Sequence, residues 1–248
     1  MSGADHPLIR MLAGFEARVL ELATALAQAS PAFGAEGVDD AVEVGGAGEA
    51  GGAPARASGP RALALRIAAV RQLWFSAQVP LDAFLHPGNR IAILSPDPLR
   101  RVLAARALIR CQDDVRRCID RDRRRAIALA VGDGALAQLQ DRPAATACGD
   151  SLPEELEPDL LARRGWQMML SDGACGNATL GNIVELSLAR IAGGEWWERM
   201  LRPGADRTML GSGASRAGVE TPRPRESETS RFFSIAGDLF PEFQWLFG

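Results

Sequence analysis

The stretch that decides the fold runs from Asp97 to Gly134, DPLRRVLAARALIRCQDDVRRCIDRDRRRAIALAVGDG. It opens as a helix. Asp97 is a suitable N-cap, and Pro98 at the first helical position gives up an amide that would have no partner there. Leu99, Val102, Leu103, Leu108, Cys111, Val115, Cys118, Ile119, Ile127 and Leu129 follow at helical spacing and form an apolar stripe. Gly132 and Gly134 supply the stop. Between Arg100 and Arg125 the other face carries ten arginines against four aspartates (Asp113, Asp114, Asp120 and Asp122), in a chain whose formal net charge is −3. Asp120 or Asp122 can equally cap a second helix, so the stretch reads as one helix or as two with a kink. Either way it predicts the spine of an all-α domain with a basic flank.

The 248 residues suffice for one sizeable core with appendages. No run approaches the roughly 18 to 20 apolar residues of a membrane span. Asp5, Arg10, Glu16, Arg18 and Glu21 interrupt the N-terminus, so a secretory signal is not expected and the protein reads as cytoplasmic. Cysteine usage agrees. Cys111 and Cys118 stand two helical turns apart, beyond disulfide reach, while Cys148 and Cys175 lie alone in loop-like sequence. His6 and His86 are far apart and no CxxC occurs, so no metal site is expected.

Five segments follow along the chain. Residues 1–30 hold an amphipathic helix with Leu8, Met11, Leu12, Phe15, Val19, Leu22 and Leu26 in one stripe, most simply a packing helix. Residues 31–60, rich in Gly, Ala and acids, read as a flexible linker. Residues 61–202 form the helical core. Within it Arg61–Val79 is a helix with Leu63, Ile67, Val70, Leu73 and Trp74 inward. The short apolar run Ile91–Leu94 could be a strand, but with no strand partner visible it reads as a compact connector, and two further helices carry Leu160, Leu161, Trp166, Met169 and Leu170, then Ile183, Leu186, Ile191, Trp196 and Trp197. Residues 203–230 are a second linker. Residues 231–248 hold six of the chain's fourteen aromatics, as either a strap folded onto the core or a linear motif reaching for another protein.

No catalytic constellation emerges. AIALAVGDGALAQLQ has the form of a dinucleotide fingerprint, but it follows arginine-rich helical sequence without a loop, no second strand–helix–strand unit is evident, and Asp133 puts a carboxylate where an anion would sit. No cofactor is expected. His86 reads as structural, because no nearby nucleophile or carboxylate pattern needs a base. The arginine cluster has three readings: a solvated face with intrahelical pairs such as Asp113 with Arg117 and Asp120 with Arg124, a docking surface for an acidic protein, or a nucleic-acid contact. The last, an arginine-rich helical nucleic-acid-binding or regulatory protein, is the alternative function. It lacks interleaved aromatics for base stacking.

Phe84-Leu85-His86-Pro87, then Asp97-Pro98-Leu99 leading into the arginine-rich helix, then Gly165-Trp166-Gln167-Met168-Met169-Leu170, resemble the SctK family over about residues 61–202. These are cytoplasmic sorting-platform proteins of type III secretion injectisomes. The resemblance implies a mainly helical adaptor without enzymatic activity, joining the cytoplasmic domain of the inner-membrane ring protein (SctD) to the SctQ pods that hold the ATPase complex. The linker at 31–60 and the aromatic tail have no counterpart in that resemblance. Candidate partner-binding residues are Arg116, Arg117, Arg121, Arg124 and Arg125 on the flank, and Phe240, Phe243, Trp245 and Phe247 on the tail.

Overall fold

The computed structural model describes residues 6–29, 59–142, 151–191 and 228–247. Nearly all of the linkers at 31–60 and 203–230, together with Cys148, Trp196 and Trp197, lie outside the described residues. These residues form α-helices joined by short 3-10 turns, with no strand among them, so the fold is all-α. The helices are α1 (Pro7–Ala29), α2 (Pro60–Trp74), α3 (Pro87–Arg90), α4 (Pro96–Ile109), α5 (Gln112–Arg117), α6 (Arg121–Val131), α7 (Asp133–Asp141), α8 (Pro158–Ser171), α9 (Ala178–Ile191), α10 (Glu228–Leu239) and α11 (Gln244–Phe247).

The centre is α4 packed along α8. Alanines at 104, 105 and 107 keep α4 thin, and all three are buried. On α8 the facing residue is Gly165, where an added Cβ would lie 1.9 Å from the carbonyl oxygen of Leu103. Only a residue without a side chain permits that approach. Trp166 and Met169 are buried beside it, α6, α9 and α10 pack against the pair, and α1 packs on α9.

The spine is three helices and the start of a fourth, not one or two. The first starts two residues early, with Ser95 as N-cap and Pro96 at its first position, which leaves Asp97 inside the first turn. Breaks fall at Cys111 and at Cys118–Asp120. Asp120 caps α6, its carboxylate accepting from the amides of Asp122 (2.9 Å) and Arg123 (3.4 Å). Gly132, at φ 92°, ends α6 as its spacing suggests, whereas Gly134 sits within α7. These breaks reset the helical phase. Ile119, in the connector, is 94% exposed, and Leu129 is 69% exposed because α6 turns Ile127, Ala130 and Val131 inward instead. Both leave the expected stripe. Leu73 also points outward, and α2 ends at Trp74, short of Val79. On α8, Leu160 and Leu170 are exposed while Leu161 is buried.

The aromatic tail lies on the core. Phe232, Phe233, Phe240, Leu246 and Phe247 are buried, and Arg90 pins the chain end, its guanidinium donating to the carbonyls of Phe84 (2.7 Å), Leu246 (2.8 Å) and Leu85 (3.2 Å). Burial lowers the pKa of Arg90 from its ordinary value.

Candidate functional site

The arginine flank is built on α5, α6 and the connector between them. Arg116, Arg117, Arg121, Arg124 and Arg125 are all exposed, and none makes an ion pair among the described residues. The intrahelical pairing of Asp113 with Arg117 and Asp120 with Arg124 does not form. The reason lies in what two neighbouring carboxylates do instead. Asp120 caps α6, and Asp114 accepts the amide of Leu152 at 2.8 Å. Both acids are committed to backbone, and the exposed Asp113 and Asp122 make no ion pair among the described residues, so no described carboxylate sits on a flank guanidinium.

The other arginines of the stretch have structural duties. Arg100 pairs with Asp97 (3.3 Å) and Asp159 (3.4 Å), tying α4 to the start of α8. The guanidinium of Arg101 donates to the carbonyl of Val131 at 3.2 Å, meets Glu242 at 3.3 Å and lies over the Phe240 ring at 5.6 Å. Arg123 donates to the carbonyl of Pro153 at 2.8 Å. Along its α6 side the flank borders a cleft of about 410 Å³ lined by Ala126, Leu129, Leu156 and Pro158, with Glu154 and Glu157 on the far wall.

Arg106 departs furthest from a flank residue. It is 1% exposed, and its guanidinium meets Asp172 at 3.0 Å, Glu228 at 3.3 Å and the Thr229 hydroxyl at 3.2 Å. The Thr229 amide donates to the same Asp172 carboxylate at 3.0 Å, and its hydroxyl donates there as well. One buried cation thus fastens the first turn of α10 to α4 and to the end of α8. Burial alone would raise the pKa of Asp172, but the hydrogen bonds from Thr229 and Arg106 outweigh it and hold the carboxyl below its ordinary range. Nothing in the helical spacing marks Arg106 as inward. The one available signal is its position among the alanines at 104, 105 and 107, which sit where two helices approach closely.

The tail residues divide. Phe240 and Phe247 are buried in the chain's own core, as a strap folded onto it would have them. Phe243 and Trp245 are half-buried, and the Arg10 guanidinium covers the Trp245 ring at 4.2 Å. Among the described residues no hydrogen bond, ion pair or ring contact joins these tail residues to the arginine flank; they sit against α1, α3 and α4.

A second concavity, about 880 Å³, lies between the segment Pro80–Asn89, the turn after α8 and α10; His86, Phe233 and Phe247 line it. His86 is exposed at its rim and starts α3 without a side-chain cap. Among the described residues no group of three or more His, Cys, Asp or Glu is placed to hold a metal ion. Burial pushes the Cys175 thiol up to about 11, so it is a poor nucleophile at neutral pH. Asn177 and Thr179 cap and anchor α9: the Asn177 side chain accepts the Thr179 amide at 3.0 Å and donates to the Gln78 carbonyl at 2.9 Å, and the Thr179 hydroxyl donates to Ala77. No described helix is long and apolar enough to cross a membrane.

Comparison with known proteins returns one family. Its model, HrpB4, described as a bacterial type III secretion protein, matches residues 8–214. The match includes α1 and the segment at 31–60, so it reaches beyond the 61–202 span of the sequence resemblance, and it stops before the aromatic strap. No curated protein matches the chain, and neither does any solved structure. The SctK resemblance and the all-α architecture are consistent with this match, which covers most of the chain: the protein belongs to the HrpB4 family of bacterial type III secretion proteins.

Proposed function

We propose that this protein is a non-enzymatic structural adaptor of the type III secretion sorting platform, cytoplasmic and peripheral to the inner-membrane base. In this reading it links the cytoplasmic domain of an SctD-like ring protein to SctQ-like pods and the ATPase complex. The arginine surface of α5 and α6 is one of its docking faces. The observation that carries this reading is five exposed arginines with no ion pair among the described residues, while Asp114 and Asp120 bond to backbone amides instead. Such a surface is complementary to an acidic partner, for which arginine supplies orientation and a faster encounter.

The test is co-purification of the full chain with each of two recombinant partners, the ring protein's cytoplasmic domain and the pod protein. Wild type is run beside a variant with Arg116, Arg117, Arg121, Arg124 and Arg125 changed to Glu. The expected result is binding of both partners by wild type and loss of one by the variant. Retention of both by the variant removes the arginine surface from the reading. Failure of wild type to bind either partner overturns the adaptor itself, and nucleic acid co-eluting only with wild type turns the assignment to the alternative function.

A further inference from the structure

Helix α2, PRALALRIAAVRQLW, buries Val70 and Trp74 and packs Leu63 and Ile67 against the core, yet it carries two more leucines on another side. Here α1 is its main support, with Arg71 meeting Glu16 at 3.6 Å across the seam. Its last residue is held by α9, where the Asn182 amide donates to the Trp74 carbonyl at 2.7 Å. On the side away from those supports, Leu65, Ala69 and Leu73 recur every four residues and form one row roughly 12 Å long. Leu65 is 58% exposed and Leu73 38% exposed, with Ala68 exposed beside them.

The charges around this row have one sign. α2 contains Arg61, Arg66 and Arg71 and no acid. Arg71 is engaged with Glu16, while Arg61 continues the leucine row toward the N-terminus and Arg66 lies beside Ala69, three residues on. Neither Arg61 nor Arg66 has an ion pair among the described residues. Two copies of this face would bring like charges together, which disfavours self-association through it.

We propose that the Leu65–Ala69–Leu73 row is a second docking face, and that its occupant is an amphipathic helix of another protein with an apolar stripe and acidic flanks. The stripe covers Leu65 and Leu73, the alanines allow close approach, and the acids meet Arg61 and Arg66. This face is separate from the arginine surface of α5 and α6 and stands whether or not that surface binds.

The probe is a synthetic amphipathic helical peptide with a leucine stripe flanked by glutamates, beside a twin in which every glutamate is lysine. Binding to the full-length protein is read by fluorescence anisotropy. The glutamate peptide is expected to bind saturably and at least about tenfold tighter than its twin. Leu65→Gln with Leu73→Gln should weaken it by at least about tenfold, since two leucines lose their cover. Both side chains are exposed, so an unchanged denaturation midpoint shows that the fold survives. Arg61→Glu with Arg66→Glu should reverse the preference toward the lysine peptide, and Leu160→Gln, on α8, should change nothing. Equal binding of the two peptides, or binding indifferent to the leucine changes, overturns the proposal. So does a dimer of the free protein that the leucine changes dissolve, which would assign the face to a second copy.

Discussion

At the scale of single residues, two carboxyl groups respond to pH with opposite sign. Asp172 is held below its ordinary value of 3.8, because hydrogen bonds from Thr229 and Arg106 outweigh its burial. Its contribution to stability is therefore present above that value and disappears as the pH falls through the lower folded value. Glu185 is the reverse. Burial raises it from 4.5 against the opposing hydrogen bond from the Trp166 indole and the field of Arg163, so its contribution is present at low pH and is lost as the pH rises through the folded value. Asp172→Asn should destabilise at pH 7, with the gap to wild type closing toward pH 3. Glu185→Gln, which keeps an acceptor for Trp166, should stabilise at pH 7 and make no difference near pH 4. Urea midpoints across that range decide it, and a Glu185→Gln variant less stable at pH 7 would refute the assignment. Gly165 has no such subtlety. A methyl group 1.9 Å from the Leu103 carbonyl forces α4 and α8 apart, so Gly165→Ala should cost about 3 kcal/mol or more in the same measurement.

At the scale of elements, the tail tests whether burial or exposure governs its aromatics. Phe240 is fully buried and touches Phe243 at a ring separation of 6.2 Å, whereas Trp245 is half-buried under Arg10. Phe240→Ala should therefore lower stability by roughly 3–5 kcal/mol, and Trp245→Ala by about 1 kcal/mol, the scale of a partly exposed cation–π contact. Equal small effects would mean that the strap does not belong to the core. Element type was legible in the sequence wherever a stripe ran uninterrupted. In α1, Met11, Val19, Leu22 and Leu26 are all buried as the spacing predicts. It failed where the phase was broken. The reset at Cys118–Asp120 moved Leu129 outward, and the apolar surplus of α2 gave no way to choose between Val70 and Leu73 as inward. The strap was legible as aromatic but not as packed, since what covers it comes from α1, α3 and α4, far away in sequence.

At the scale of the whole molecule, the arginines of the 97–134 stretch separate into two populations that look alike in sequence. Arg100, Arg101, Arg106, Arg110 and Arg123 reach partners contributed by distant segments, from Asp159 and Val131 to Asp172, Glu228 and Pro153. Arg116, Arg117, Arg121, Arg124 and Arg125 reach none among the described residues. Spacing along one helix cannot show this difference, because it depends on which chain end or turn is laid against each guanidinium. The division has a measurable consequence. Changing the five unpaired arginines together to Gln removes no internal contact and relieves repulsion among neighbouring cations, so the denaturation midpoint should stay where it is or rise slightly. Arg106→Gln alone, by contrast, leaves Asp172 without its cation, while Glu228 keeps Arg110 at 3.6 Å, and should cost on the order of 3 kcal/mol, discounted from a fully buried pair because both acids are partly open to solvent. Added salt should sharpen the contrast: with a screening length of about 10 Å at 0.1 M, it should narrow the difference between wild type and the five-fold variant while leaving the Arg106 deficit largely intact. If the five-fold variant unfolded as readily as Arg106→Gln, the surface arginines would be structural, and a docking role for them would lose its physical basis.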